Sequence, residues 1–137
     1  MTLDTLHLQF CDIQGRLFAL SAKDGYDSEP FIRTFMESPT AAHFDLPYDR
    51  SQWMGEEYLL EEVVEAAGYL PHGGEVYDAE TLYWIGYAYR YWHILTGDSS
   101  ATIYSIADAE KMRHVYPAFH TLDVEDAIAR LVELSAH

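Results

Sequence analysis

The sequence predicts an all-α protein, an irregular bundle of six to seven short helices around a central aromatic helix at residues 78–96. Three observations support this prediction. Apolar side chains recur every three or four positions in most segments, which is the spacing of an amphipathic helix. Residues suited to helix N-caps precede these segments, and Gly or Pro follows most of them. Residues 83–97 are apolar or amphipathic on almost every side of a helix, which is typical of a helix with neighbours all around it.

The N-terminal segment, residues 5–22, fits two structures. One apolar set follows helical spacing: Phe10, Ile13, Leu17 and Leu20. A second set alternates as in a strand: Leu6, Leu8 and Phe10. We favour a helix that stops at residues 23–25, and the rival prediction is a small hairpin that turns at residues 12–15.

The next two segments are predicted to be a helix and a loop. Ser28 is suited to be the N-cap of the second helix, which would end at Ser38-Pro39. Residues 39–55 contain two prolines and irregular apolar spacing. They are therefore predicted to form a loop with one short helical turn.

Residues 55–68 form the cleanest amphipathic pattern in the chain, with glutamates on one face and Gly68 at the C-terminal end. After a Pro- and Gly-containing loop, Asp78 can cap the central aromatic helix. Gly86 is unfavourable inside a helix by roughly 1 kcal/mol relative to Ala. Its presence there indicates close approach of a neighbouring helix.

The C-terminal third is predicted to contain three more helices. Asp98 or Ser99 can cap a short helix around residues 103–106. Asp108 can cap another that ends near Pro117, and Asp123 can cap the last.

The composition predicts one globular domain over residues 1–137, because 49% apolar residues can build a core of this size. The single cysteine allows no internal disulfide. The sequence shows no secretory leader pattern and no apolar run of membrane length, so we expect a cytoplasmic protein without a membrane partner.

The net charge of −15 comes from 23 acidic and eight basic residues. A phosphate backbone would be repelled by this charge, so direct nucleic-acid binding is not expected. A basic protein surface, or a site that normally binds nucleic acid, would be attracted. Between Arg50 and Arg90 the chain has eight acidic residues and no Lys or Arg, so this segment is the best candidate for a functional face.

Sequence motifs for catalysis are absent: there is no phosphate-binding glycine loop, nucleophile elbow, zinc-type histidine pair or cysteine pair. No metal site and no cofactor is therefore predicted. Within the central helix, Arg90 and His93 carry chemistry that burial alone does not explain. An enzyme would require both to converge with a carboxylate in a pocket.

Three stretches resemble a small uncharacterised family of bacterial proteins: residues 44–62, 80–104 and 109–123. The likeness covers Phe31 to Leu134 and is carried by the words Tyr-Asp-Arg, Trp-Met-Gly-Glu-Glu-Tyr and Tyr-Arg-Tyr-Trp. Genes of that family lie in loci that resemble toxin–antitoxin modules, some with an ADP-ribosyltransferase-like toxin. The resemblance implies a small acidic helical protein that acts by binding a protein partner.

The leading hypothesis is therefore a non-catalytic antitoxin or immunity-type protein that neutralises a cognate toxin by direct binding. The acidic segment would occupy the basic substrate or nucleotide site of the toxin. Two alternatives remain: an acidic nucleic-acid mimic of the phage-inhibitor type, and an enzyme with a site at Arg90 and His93. The predicted partner-binding residues are Tyr48, Asp49, Arg50, Trp53, Glu56, Glu57, Tyr58, Arg90 and His93.

Overall fold

The structure is a computed structural model that describes residues 3–47 and 49–136. The described residues form eight α-helices and one short 3₁₀ helix, Arg50–Trp53. The α-helices are, in chain order, α1 (Thr5–Lys23), α2 (Ser28–Met36), α3 (Pro39–Phe44), α4 (Glu56–Ala67), α5 (Ala79–Thr96), α6 (Ser100–Ile106), α7 (Ala109–Phe119) and α8 (Val124–Ser135). The predicted all-α class is confirmed.

The rival prediction of an N-terminal hairpin is wrong, because residues 5–22 lie inside the continuous helix α1. Asp4 caps this helix by accepting a hydrogen bond from the His7 backbone N–H at 2.9 Å. The described residues contain one β pairing, an isolated bridge between Tyr26 and His72. The strand-like alternation failed because Leu6 is exposed on α1 rather than part of a sheet face.

Two further boundaries differ from the prediction. The segment 39–55 contains the complete helix α3 as well as the 3₁₀ helix, so the count is eight and not six or seven. Pro39 starts α3 because the first helical turn needs no proline N–H. The N-cap of α2 is Asp27, whereas Ser28 lies in the first turn and its Oγ accepts a hydrogen bond from the Tyr77 N–H at 2.8 Å.

The central position of α5 is confirmed. This helix packs most extensively along α1 and also contacts α6, α7 and α8. Two of its tyrosine hydroxyls bond to neighbouring elements: Tyr89 is fully buried and donates to the Ala107 carbonyl oxygen at 2.6 Å, and Tyr83 donates to the Asp12 carboxylate at 2.5 Å. The aromatic stretch is thus mainly core.

Gly86 explains how α1 and α5 approach each other so closely. A Cβ added there would lie 2.5 Å from the Gln14 backbone oxygen and 2.9 Å from the Phe18 ring. The Gln14 Nε2 donates to the Gly86 carbonyl oxygen at 2.9 Å. This contact fixes the register of the two helices and places Gln14 next to Arg90.

Candidate functional site

Arg90 lies in the core with 1% of its surface exposed. Its Nε donates to Gln14 Oε1 at 2.8 Å, one terminal nitrogen donates to Asp45 Oδ1 at 2.7 Å, and the other donates to Ser100 Oγ at 3.3 Å. The guanidinium carbon lies 4.4 Å from the centre of the Phe44 ring. Burial lowers the pKa of Arg90, and the Asp45 carboxylate opposes that shift. The side chain therefore joins α1, α3, α5 and α6 through hydrogen bonds and one ion pair.

Both carboxylate oxygens of Asp45 are already engaged. Oδ1 accepts from Arg90 and from the Ser100 hydroxyl, the latter at 2.7 Å. Oδ2 accepts from the Ser100 backbone N–H at 2.9 Å, in the first turn of α6. Asp45 thus ties the end of α3 to the start of α6, where a negative charge is favourable.

His93 is also held on both sides. Its Nδ1 lies 2.6 Å from the Asp98 carbonyl oxygen, and its Nε2 lies 3.1 Å from the Asp45 carbonyl oxygen. The imidazole therefore lies between the residue after α3 and the loop between α5 and α6, and in its neutral form its single N–H donates to one of the two oxygens.

Arg90, His93 and a carboxylate do converge, as the enzyme hypothesis requires. The carboxylate belongs to Asp45, which lies outside the acidic segment between Arg50 and Arg90. The polar atoms of the three groups make contacts that hold helices together. Burial raises the pKa of the Cys11 thiol to about 12, which removes the thiolate needed for nucleophilic attack.

A groove of about 530 Å³ is lined in part by Asp45, Arg90 and His93 of this network, and we call it the Trp53 groove. Trp53 is 67% exposed and packs edge-on against Phe10, with 6.3 Å between the ring centres. Two other exposed apolar side chains line the groove, Leu6 at 39% and Leu46 at 49%. The Gln52 amide holds the wall in place by donating to the Leu46 carbonyl oxygen at 2.6 Å.

The predicted contacts near the 3₁₀ helix are only partly brought to this groove. Tyr48 lies outside the described residues. Asp49 caps the 3₁₀ helix by accepting a hydrogen bond from the Ser51 N–H at 2.9 Å. Hydrogen bonding from Ser51 lowers the pKa of Asp49. Arg50 is exposed beside it, and Trp53 is the one predicted contact in this stretch that lines the groove among the described residues.

The predicted contacts on α4 are not among the described residues that line the Trp53 groove. Glu57 and Tyr58 are exposed, and Glu56 is half-buried. A hydrogen bond to Glu62 raises the pKa of Tyr58. Glu57 lines a separate trough between α1 and α4. The predicted set therefore does not form one surface: Trp53, Arg90 and His93 line the Trp53 groove, whereas Glu57 lines the trough beside α4.

Sequence reasoning missed Gln14, Asp45, Leu6 and Leu46. A polar residue among the apolar positions of α1 was the available signal for Gln14, because such a residue needs a buried partner. Leu46 was visible as an apolar residue in a predicted loop. The partnership of Asp45 with Arg90 spans 45 positions, and no local pattern contains it.

Comparison with protein-family models, curated protein sequences and solved structures finds no match to this chain. None of the helices in the described part of the chain has the length and hydropathy needed to cross a membrane. Within residues 3–47 and 49–136, no group of three His, Cys, Asp or Glu side chains is placed to hold a metal ion.

Proposed function

We propose that this protein is a non-catalytic antitoxin or immunity-type protein that neutralises a toxin by direct binding. The observation that carries the proposal is the exposure of Trp53 in the lining of a groove that also holds the exposed side chains of Leu6 and Leu46. Exposed aromatic side chains beside a pocket commonly dominate the binding energy of protein interfaces. Clustered exposure of Leu6 and Leu46 at the same groove supports a protein partner rather than solvent as its neighbour.

The charge distribution supports a basic partner. The net charge is −15, and no Lys or Arg occurs between Arg50 and Arg90. A field of one sign attracts a surface of the opposite sign and raises the rate of association. Substrate and nucleotide sites of enzymes that act on phosphates are basic, so a toxin of that kind fits the acidic segment.

An acidic nucleic-acid mimic is the second candidate. Three exposed glutamates, Glu57, Glu61 and Glu65, recur every fourth residue of α4 and therefore lie about 6 Å apart along the helix. Such a row imitates the regular charges of one strand of nucleic acid. A mimic would compete with a nucleic-acid duplex for the toxin, whereas a protein bound outside the nucleic-acid site would not, so a competition assay distinguishes these two cases.

Co-expression with the product of the adjacent gene tests the proposed function. We expect the wild-type protein to restore growth and to bind the purified toxin in a titration. Trp53→Ala is expected to weaken binding at least tenfold, because the variant loses the aromatic anchor. Tyr69→Ala is the matched control, since Tyr69 is 72% exposed in the loop after α4.

The result is interpretable only if the variants remain folded, which circular dichroism and the urea midpoint establish. Equal loss in the Trp53→Ala and Tyr69→Ala variants would argue against a role for the groove. Absence of both binding and growth rescue by the wild-type protein would exclude the neighbour as its toxin and contradict the proposal.

A further inference from the structure

The trough between α1 and α4 is a second surface, separate from the Trp53 groove. Its volume is about 540 Å³. Its described lining consists of three aliphatic side chains, one aromatic ring and four carboxylates: Leu20, Leu60, Val64, Tyr26, Asp24, Glu57, Glu61 and Glu65. Among the described residues, the trough and the Trp53 groove have no lining residue in common.

One lining residue of the trough, Tyr26, is held firmly in place. The Tyr26 ring packs against His72 in a tilted arrangement, with 4.4 Å between the ring centres. The Tyr26 backbone N–H donates to the Ser21 carbonyl oxygen at 3.0 Å, and the next N–H, from Asp27, donates to the Pro71 carbonyl oxygen at 2.9 Å. Contacts of its ring and of the adjoining backbone thus fix Tyr26.

The rim and floor of the trough have different chemistry. Asp24, Glu57, Glu61 and Glu65 are exposed, whereas Leu60 is buried and Leu20 and Val64 are half-buried. None of the described residues that line the trough is Lys or Arg. The surface therefore offers an aliphatic floor beneath an uncompensated acidic rim, and it is complementary to a segment with an apolar stripe flanked by cations.

The lining also indicates the conformation of that segment. It consists of side chains from the end of α1, the adjoining turn and α4. An extended peptide would find no free strand edge there to pair with its backbone, whereas a helix satisfies its own N–H and C=O groups. Lys or Arg on successive turns of such a helix would repeat about every 6 Å, the same interval as the three glutamates of α4.

We propose that this trough binds an amphipathic α-helix of the toxin, with aliphatic residues on one face and Lys or Arg flanking them on each turn. The inference rests on the proposed function only in assigning the helix to the toxin. The chemistry of the trough itself can be tested without that partner.

The probe is a synthetic Leu/Lys amphipathic peptide of about 18 residues, long enough to become helical on a surface. A scrambled peptide of the same composition removes the apolar stripe and keeps the charge. We expect the wild-type protein to bind the amphipathic peptide at least tenfold more tightly than the scrambled one by fluorescence anisotropy. The affinity should fall between about 50 and about 200 mM NaCl, because salt screens exposed charges.

Glu61→Lys is the decisive variant, because Glu61 lies in the middle of the acidic row. We expect it to weaken binding of the amphipathic peptide about tenfold. Glu133→Lys on α8 is the matched control, since Glu133 is also an exposed helical glutamate and the change in net charge is the same. Equal effects of the two replacements would mean that the peptide responds to overall charge, and would overturn the proposal.

Toxin binding separates this inference from the proposed function. If the wild-type protein and the Glu61→Lys variant neutralise the toxin equally well, the trough is refuted as the docking site. The proposed function would still stand in that case. Peptide binding that depends on Glu61, together with no interaction with the toxin, would support the trough and contradict the function.

Discussion

Arg90 places a guanidinium among aromatic rings, yet each of its three nitrogens donates a hydrogen bond. Sequence analysis identified this residue as one that burial alone does not explain and considered it for binding or catalysis. The structure assigns it to four-helix cross-linking, with Asp45 as the counter-charge. A charge in a core is stable only when it is paired in this way, so the role of Arg90 follows from its burial.

Replacing Arg90 with Met is expected to destabilise the protein by about 3–5 kcal/mol, because the Asp45 carboxylate would remain almost buried without its partner. Urea unfolding measures this change. Arg16→Met provides the control, since the Arg16–Asp12 pair is exposed, at 60% and 38% of the two side chains, and such pairs contribute about 0–1 kcal/mol. Losses of equal size in the two variants would contradict the structural role of Arg90.

At the scale of elements, the contact between α1 and α5 determines the arrangement of the other helices. Gly86 indicated from sequence that a neighbour approaches α5 closely, but the sequence did not identify α1 as that neighbour. In the structure the Gln14 backbone lies directly opposite Gly86. Backbone atoms cannot move aside as a flexible side chain can, so the two helices would have to separate to admit even one methyl group.

Gly86→Ala should therefore destabilise the protein by about 1–3 kcal/mol, the usual range for overpacking, although Ala is the better helix former by roughly 1 kcal/mol. Ala129→Gly on the exposed face of α8 measures that helix preference without a packing change. Urea midpoints of both variants make the comparison. An increase in stability for Gly86→Ala would show that the helices are not in the close contact described above.

Helix existence could be predicted from the sequence because amphipathic spacing and caps are local features. The favoured helix over residues 5–22 and the central helix are both confirmed, as is Gly68 at the end of α4. Segment 39–55 was predicted as a loop because prolines and irregular spacing mask a six-residue helix, which has too few turns to show a period. Asp27 and Ser28 are both residue types suited to an N-cap. The hydrogen bond from the Tyr77 N–H to the Ser28 Oγ distinguishes them, and it is a tertiary contact that the sequence does not show.

The candidate surface was predictable in composition but not in layout. Trp53 and Glu57 are four positions apart, and both are among the predicted partner-binding residues. Gly55, with a φ of +86°, lies between the 3₁₀ helix and α4, and the chain changes direction there. The two residues consequently line different grooves, an outcome that depends on a backbone turn rather than on residue type.

At the scale of the whole molecule, the charges are strongly unbalanced. Within the described part of the chain, four basic side chains form ion pairs with acidic side chains: Arg16 with Asp12, Arg33 with Glu37, Arg90 with Asp45, and Arg113 with Glu75. The net charge of −15 therefore reflects carboxylates that far outnumber the bases available to them. Like charges held on a small surface repel one another, which favours a more expanded chain.

Added salt is expected to stabilise this protein, because counter-ions screen the repulsion among its carboxylates. The urea midpoint should rise between about 20 and about 300 mM NaCl, and urea is the suitable denaturant because it adds no ions of its own. A variant that combines Glu61→Lys with Glu133→Lys reduces the magnitude of the net charge, from −15 to −11. Its urea midpoint should rise less with salt. A midpoint that falls with salt would mean that attractive ion pairs outweigh the repulsion. In that case the excess of carboxylates would not lower the stability of the folded protein, and attraction to a basic partner would not come at a cost in stability.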